Sequence, residues 1–285
     1  MKGTGLRIAR RAGRARRAWT VLTLAAVAAV VLSACGPQSL WGWGDNSYGQ
    51  LGDGTTTSHT TPSVADAEWT QLAAGADFTV AIRADGTLWA WGSNTDGQLG
   101  DGTTTDAHTP EQIGTATNWN TVTAGSSHTL ATHTDGTLWA WGSNTNGQLG
   151  DGTTTDAHTP EQIGTAVDWK IVTAGSSHTL ATHTDGTLWA WGSNTDGQLG
   201  DGTTTSPAAP EQIGPAHRWR VITASEGYTA GIRADGTLWA WGYNGDGELG
   251  DGTTTNRTAP EQIGTATNWT LISAGDGSSI AIQGG

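Results

Sequence analysis

The pentapeptide Leu88-Trp89-Ala90-Trp91-Gly92 decides the fold, because it recurs at a fixed interval. It returns at residues 138, 188 and 238, a period of 50, and a variant, Leu40-Trp41-Gly42-Trp43-Gly44, stands 48 residues before the first copy. Self-similarity at such a period is typical of repeat architectures. The sequence therefore divides into five units, which cover residues 39–86, 87–136, 137–186, 187–236 and 237–285.

Each unit contains four short extended runs, exemplified by residues 110–141. These runs are Pro110 to Ile113, Trp119 to Ala124, His128 to His133 and Thr137 to Trp141. Asp135-Gly136 separates the last two and predicts a type I′ hairpin, in which both turn residues have positive φ. No segment shows an apolar period of about 3.6 residues, so helix is expected to be nearly absent. The predicted class is all-β.

Four strands followed by a Gly-, Asn- and Thr-rich connection, repeated five times, predict a β-propeller of five four-stranded blades. The last unit ends at Gly285, where the other units continue into the LWAWG strand. The N-terminal segment Ser39 to Gly44 supplies that missing strand. We therefore expect the N-terminal strand to pair with the C-terminal blade, which closes the ring and leaves no open strand edge.

The first 35 residues have the order of an export signal. Residues 1–34 carry seven basic side chains and no acid, an apolar run extends from Ala18 to Leu32, and Leu32-Ser33-Ala34-Cys35 resembles a bacterial lipobox. The apolar run is shorter than the ~20 residues of a membrane span and suits a signal-peptide core. The predicted organisation is a lipoprotein signal peptide (1–34), an acylated Cys35 with a short tether (35–39), and a propeller (40–285) that is exported and membrane-anchored in the cell envelope.

The propeller region is strongly acidic. Of the 13 basic and 26 acidic groups, only six basic groups but all the acidic ones follow residue 34. Nucleic-acid affinity rests mainly on Lys and Arg that neutralise phosphates, so DNA and RNA are excluded as partners. Cys35 is the only cysteine, which excludes an intramolecular disulfide and a Cys-based zinc site.

A longer motif gives a family resemblance. Ala124-Gly125-Ser126-Ser127-His128 leads through Asp135-Gly136 to Trp141-Gly142-Ser143-Asn144 and Gly147-Gln148-Leu149-Gly150. This pattern resembles the regulator of chromosome condensation (RCC) repeat and recurs in essentially every unit. The resemblance implies a propeller with blades of about 50 residues. The well-known eukaryotic member promotes nucleotide exchange on a GTPase with an extra hairpin; the five uniform units contain no such insertion, so exchange activity is not expected here.

Candidate chemistry is sparse. His128 and His178 align with Phe78, Tyr228 and Ser278, so they cannot form a fivefold metal ring. Acidic loops around Gly97 and Gly100 leave calcium open as an alternative to a purely structural role. No catalytic triad or carboxylate pair is distinguishable from the repeats. We expect no enzyme activity, no cofactor and no metal.

Variation among the copies marks the candidate binding residues. Loops held on a rigid scaffold usually carry recognition, and aromatic residues beside acids are typical of interface anchors. The candidates are Tyr48, Asp77, Phe78, Glu226, Tyr228, Tyr243, Glu248 and Asp276. The predicted function is recognition of another extracytoplasmic protein by a surface-anchored, monomeric scaffold. The alternatives are a lectin-like propeller with repeated Trp-lined glycan sites, and neutral drift of surface loops.

Overall fold

The structure is a computed structural model that describes residues 39–285, except for the side chains of residues 64–67. All regular elements in this range are β-strands, as the sequence predicts. The proposed signal peptide and Cys35 lie outside the described residues. Among the residues that are described, no helix is long and apolar enough to span a membrane.

The strands form six antiparallel sheets in chain order. The first sheet has two strands, β1 (Ser39–Gly44) and β2 (His59–Ala67). Four four-stranded sheets follow, which we call the central sheets. The first two consist of β3 (Trp69–Ala74), β4 (Phe78–Arg83), β5 (Leu88–Gly92) and β6 (Ala107–Gln112), and of β7 (Trp119–Ala124), β8 (His128–His133), β9 (Leu138–Gly142) and β10 (Ala157–Gln162). The next two consist of β11 (Trp169–Ala174), β12 (His178–His183), β13 (Leu188–Gly192) and β14 (Glu211–Gln212), and of β15 (Trp219–Ala224), β16 (Tyr228–Arg233), β17 (Leu238–Gly242) and β18 (Arg257–Gln262). The last sheet has two strands, β19 (Trp269–Gly275) and β20 (Ser278–Gln283).

The predicted strands are confirmed, with the repeat visible in the register. Val80 faces Ala90 in one sheet and Leu130 faces Ala140 in the next. The outermost strand is longer than expected, since it begins at Ala107 rather than at Pro110. Pro110 is tolerated there because a proline lacks an N–H donor and an edge strand does not need every one.

The predicted type I′ hairpin is wrong. Gly136 has φ of 82° and Gly86, in the equivalent turn one repeat earlier, has φ of 80°, whereas neither Asp135 nor Asp85 is among the residues with positive φ. Gly86 N–H donates to the Arg83 carbonyl at 2.9 Å, and Arg83 N–H donates to the Thr87 carbonyl at 3.0 Å. Three residues, 84 to 86, therefore form the loop, which fits a type I turn followed by a left-handed glycine. The Asp85 carboxylate instead accepts the Thr87 hydroxyl at 2.6 Å and the Thr87 N–H at 3.0 Å.

The second tryptophan of each LWAWG strand joins neighbouring sheets. Trp141 is fully buried, and its indole N–H donates to the carbonyl of Gln98, in the preceding repeat, at 3.0 Å. Gly100 lies under this ring with φ of 82°, and a Cβ there would be 2.7 Å from the indole nitrogen. Trp91, Trp191 and Trp241 are equally buried, so these tryptophans form part of the core between neighbouring sheets.

The first and last strands of the described residues, β1 and β20, do not pair with one another. The strand pairs that involve β1 and β20 are β1 with β2 and β19 with β20. Side chains that are buried in every central sheet are exposed here: Trp43 is 60% exposed and Ile280 is 73% exposed. The expected pairing of the N-terminal strand with the C-terminal blade is therefore not present, and closure of five blades into a ring stays a prediction.

Candidate functional site

The loops after the first and third strands of each sheet emerge at the same end, because successive strands are antiparallel. We call this end the loop face, and the opposite end, with the Asp-Gly turns, the hairpin face. The loops at 45–58, 93–106, 143–156, 193–206 and 243–256 lie on the loop face, together with the short turns near residues 76, 126, 176, 226 and 276. All eight candidate binding residues lie on these loops or at the adjoining strand ends.

A buried asparagine organises each long loop. Asn144 is fully buried, and its side-chain NH₂ donates to Asp151 Oδ1 at 3.0 Å and to the carbonyls of Thr153 and Thr155 at 3.2 and 3.1 Å. Its Oδ1 accepts the Leu149 N–H at 3.0 Å. Equivalent bonds surround Asn46, Asn94, Asn194 and Asn244. Hydrogen bonds from the buried asparagine therefore fix the conformation of each long loop, so the loops form an ordered surface.

The aspartates of these loops are used for structure. Burial opposes ionisation of Asp53, but hydrogen bonds from the Thr55 N–H and hydroxyl, from His59 and from Asn46 lower its pKa to about 2. Asp251 has the same low pKa of about 2 for similar reasons, with Arg257 in place of His59. Within the described residues, no three His, Cys, Asp or Glu side chains are arranged to hold a metal ion.

Three of the predicted contact residues are buried, which corrects that part of the prediction. Phe78 is 1% exposed and its ring packs over Gly75, where a Cβ would be 2.0 Å from the ring. Tyr228 is 2% exposed and its hydroxyl donates to the Ser278 carbonyl at 2.6 Å. Glu248 is 5% exposed and its carboxylate accepts the Asp246 N–H at 3.0 Å. Tyr228 thus contacts the neighbouring sheet, and none of the three side chains is accessible to a partner.

The other five candidates are accessible and fall into two groups. Tyr48 is 37% exposed and lies in the same long loop as Gln50, whose Nε2 donates to the half-buried Asp77 at 3.4 Å. The second group lies at the C-terminal end of the six sheets, which we call the sheet series. Glu226 and Asp276 are exposed there on consecutive turns, and Tyr243 is 40% exposed beside Gly227. The structure thus does not gather them into a single site.

Glu226 and Asp276 form a carboxyl pair. The hydrogen bond to Asp276, partial burial and the negative charge of Asp276 together raise the pKa of Glu226. Burial and the nearby Asp45 likewise raise the pKa of Asp77. The ionised forms of two close carboxylates are destabilised by mutual repulsion, and a nearby cation reduces that repulsion. Both groups therefore favour a positively charged contact.

A co-variation within the repeats could have identified Tyr243 as a surface residue. Where Tyr243 replaces a serine, Gly245 replaces a threonine two residues later. A Cβ at residue 245 would be 2.1 Å from the tyrosine hydroxyl, so the ring lies over this glycine. The joint change at residues 243 and 245 therefore indicates that the Tyr243 ring packs on the loop surface over Gly245.

Charge differs sharply between the two faces. Arg257 is the one Lys or Arg that the described chain places on the loop face, and it is paired with Asp251 at 2.6 Å and with Glu261 at 2.5 Å. The other basic side chains of the described residues lie at the last residue of a second strand or at or just before the start of a first strand, and so on the hairpin face: Arg83, Lys170, Arg218, Arg220 and Arg233. The loop face is therefore acidic, with exposed tyrosines at two places.

The hairpin face contains a feature that the sequence reasoning missed. In each central sheet a cationic or imidazole side chain lies between two tryptophans. Arg83 lies 3.9 Å from the Trp89 ring centroid and 4.8 Å from that of Trp69, and His133 lies 4.1 Å from that of Trp119. The first LWAWG tryptophans also donate locally, as Trp89 does to the Thr87 hydroxyl at 2.8 Å. These rings are buried or half-buried, which gives no support to a repeated, exposed glycan platform.

Fold and site together define a tryptophan-rich, propeller-type repeat protein with an acidic loop face. The chain belongs to the RCC1-like domain family, whose model matches residues 13–282. A search of curated protein sequences found no significant match.

Solved structures with the same fold include human WBSCR16 and yeast RCC1. Human WBSCR16 is 23% identical over 86% of this chain and 67% of its own, with a TM-score of 0.75. Yeast RCC1 (Prp20), solved with Kap60 bound, is 20% identical over 87% and 63%, with a TM-score of 0.74. A second Prp20p structure, from Saccharomyces cerevisiae and described with its binding properties to Gsp1p and histones, is 21% identical over 84% and 62%, with a TM-score of 0.72. This chain therefore spans about two thirds of the length of these proteins.

Proposed function

We propose that this protein is an envelope-anchored, non-enzymatic scaffold that binds another protein through its loop face. The observation that supports it best is the combination of rigid loops, exposed Tyr48 and Tyr243, and carboxyl groups with raised pKa at Asp77 and Glu226. Tyrosines supply contact area at low entropic cost, and charge complementarity gives specificity and speed of association. The partner we infer is a protein with a basic contact surface.

Anchoring is proposed from the N-terminal sequence. Lipid attached to Cys35 would hold the scaffold at the membrane, since only residues 36–38 separate this cysteine from β1. Three or four residues reach ~14 Å at most. Replacing Cys35 by Ser is expected to move the protein from the membrane fraction to the culture fluid. Unchanged membrane retention would contradict the anchoring proposal while leaving partner binding open.

The binding experiment is affinity capture from the organism's own envelope with immobilised residues 36–285, which contain every described strand. A loop-face variant combines Tyr48→Ala, Tyr243→Ala, Glu226→Gln and Asp276→Asn. A control variant combines changes at exposed positions away from that face, namely Glu111→Gln, Glu161→Gln and Val167→Ala.

We expect a protein that binds the unmodified chain and the control, is released by raised salt, and is lost from the loop-face variant. Salt release follows because exposed charge pairs are screened within about 8–10 Å at physiological ionic strength. Equal binding to all three proteins, or capture of glycan alone, would contradict the proposal.

A further inference from the structure

A cavity at the C-terminal end of the sheet series has the form of a tryptophan-binding site. Its volume is about 450 Å³, and its lining includes Glu248, Gly250, Ile263, Trp269, Ile272 and Ser279. It lies beside β20, whose outer edge has no strand partner among the described residues.

The same place is filled in every central sheet. The indole nitrogens of Trp91, Trp141, Trp191 and Trp241 approach the glycine of the preceding loop so closely that a Cβ on it would lie 2.6 to 2.7 Å away. Gly250 is the equivalent glycine of the last loop, and the nearest atom to a Cβ there is Ile263 Cγ2, at 3.6 Å. The last loop therefore keeps the glycine that contacts an indole in the central sheets, but no indole contacts Gly250 among the described residues.

The hydrogen-bond acceptor is also in place. The carbonyls of Gln50, Gln98 and Gln148 each accept an indole N–H, at 2.9, 3.0 and 2.9 Å, together with a threonine hydroxyl from the second strand of the next sheet. Glu248 occupies the equivalent position, and its carbonyl accepts the Ser279 hydroxyl at 2.8 Å. The indole is the partner that the Glu248 carbonyl lacks by comparison with the carbonyls of Gln50, Gln98 and Gln148. The Gln198 carbonyl accepts the Thr229 hydroxyl, and the buried Trp241 indole beside it makes no hydrogen bond.

The matching ligand is at the other end of the same chain. Trp43 aligns with the four buried tryptophans, yet it is 60% exposed, and Trp41 is 54% exposed. In the central sheets the second strand pairs with an LWAWG strand, with Thr79 opposite Trp91 and Ile82 opposite Leu88. By the same register, Ser279 would lie opposite Trp43 and Ile282 opposite Leu40.

We propose that the edge of β20 and this cavity bind β1 of a second copy of the chain, with the Trp43 indole in the cavity. Within one copy the two surfaces are both exposed, at opposite ends of the sheet series. The series also overlays on only 63% to 67% of longer propeller chains, so its packing of sheet on sheet suits a larger arc whose ends stand apart. Joining two copies continues the sheet pairing already seen four times.

The contact joins two different surfaces, so it is heterologous, and such contacts produce rings or open assemblies according to the rotation between copies. Two single variants separate its halves. Trp43→Ala removes the ligand and keeps the cavity, whereas Ile280→Lys places a charge on the edge of β20 and keeps the ligand. Both residues are exposed, so each variant is expected to fold, which circular dichroism verifies.

The test is sedimentation velocity on residues 36–285 over a concentration series. The unmodified chain is expected to associate, and each variant alone to associate at least 100-fold more weakly. An equimolar mixture of the two variants is expected to recover a heterodimer, because one supplies the cavity and the other supplies Trp43. Thr104→Lys, in an exposed loop, is the control for added charge and should associate normally.

Cross-linking supplies the second measurement. Ala281 would face Trp41 in the shared register, as Ala81 faces Trp89, and directly opposite Cβ atoms are close enough for a disulfide. A mixture of Ala281→Cys and Trp41→Cys chains is expected to give a covalent heterodimer, whereas Ser278→Cys with Trp41→Cys is not. A third chain carries both Ala281→Cys and Trp41→Cys. A monomeric unmodified chain, no recovery on mixing, or an internal disulfide in this third chain would overturn the proposal; the last result would indicate closure within one chain.

Discussion

The central sheets and the two-stranded sheets at the ends contain nearly the same sequence in different surroundings. Trp141 is fully buried in a central sheet, while Trp43, in the equivalent pentapeptide, is 60% exposed. Among residues 39–285, β1 has neither a second-strand neighbour nor a preceding loop. The burial of these tryptophans is therefore a property of the contact between repeats, and a single repeat cannot provide it.

The long loops show the opposite behaviour. Asn46, in the first loop, is as fully buried as Asn144, and both donate to the threonine carbonyls of their own loops. This network lies within one loop and does not require the missing strands. Local polar structure thus persists at the ends, whereas apolar burial between strands does not.

Removing a tryptophan indole should separate these two regions most strongly. Trp141→Ala is expected to lower the free energy of unfolding by about 3–5 kcal/mol, because it leaves a cavity and removes the hydrogen bond to Gln98. Trp43→Ala should cost less than about 1 kcal/mol at dilute, non-associating concentration. Urea denaturation followed by circular dichroism measures both.

Repeat proteins do not always unfold in one step, so the two variants should also be compared for the slope of the transition. Similar slopes permit the comparison of free energies. Equal losses for Trp141→Ala and Trp43→Ala would mean that the N-terminal strand is covered in the isolated chain, and the contrast between central and terminal sheets would be wrong.

Acid should destabilise the contacts between central sheets, because two buried histidines there have no histidine counterpart in the first and last repeats. Burial lowers the pKa of His128 to about 4, and burial with the nearby His128 lowers that of His178 to about 3. The unfolded chain takes up these protons near pH 6.5, so stability is full above that pH and falls as the pH decreases toward 4. The expected loss is roughly 3 kcal/mol for His128 at its limit.

The repeats themselves provide the control, because Phe78 occupies the same position over an equivalent glycine. The double variant His128→Phe, His178→Phe should lose less stability between pH 7 and 4 than the unmodified chain, in denaturant titrations at each pH. Parallel losses in both proteins would assign the acid sensitivity to carboxylates and contradict a role for these histidines.

Much of the architecture could be predicted because it depends on periodicity. The 50-residue repeat and the β-branched runs located β7 to β9 to within a residue. The hairpin type was missed because Asp85 satisfies the Thr87 hydroxyl and N–H instead of adopting positive φ. Local propensity does not distinguish these two uses of the same Asp-Gly pair.

The candidate site was predicted less well, for a different physical reason. Phe78 and Tyr228 occupy a position that varies among the copies, but this position is buried between neighbouring sheets, and histidine occupies it in two other repeats. Variation marks a surface only if burial is known, and burial here depends on the neighbouring repeat. Tyr48 and Tyr243 remain exposed because they lie in the polar loops rather than on strands.

Loop asparagines should be equally important in both regions, which sharpens the contrast with the tryptophans. Asn144→Ala and Asn46→Ala are each expected to cost about 1–3 kcal/mol, because the N–H of Leu149 or Leu51 loses its buried acceptor. Denaturant titration gives the two values. A much smaller effect for Asn46→Ala would show that the terminal loop also depends on neighbouring sheets.

The smallest predicted effect concerns the cation between two tryptophans. Arg233 Cζ lies 3.5 Å from the Trp239 ring centroid and 4.9 Å from that of Trp219, whereas Gln283 stands at the same position in the terminal sheet. Arg233→Gln should cost about 1 kcal/mol, the usual size of a cation–π contact that is partly desolvated. Burial lowers the pKa of Arg233, and this desolvation offsets part of the attraction.

Lys170→Gln is the matched control, because it removes one positive charge from the same face at an exposed position. It accounts for the added repulsion within an acidic protein and should change stability by less than about 0.5 kcal/mol. Equal effects of the two substitutions would mean that net charge, and not ring contact, sets the cost. A larger loss for Arg233→Gln would show that a central sheet gains stability from an aromatic–cation contact that Gln283 cannot provide at the terminus.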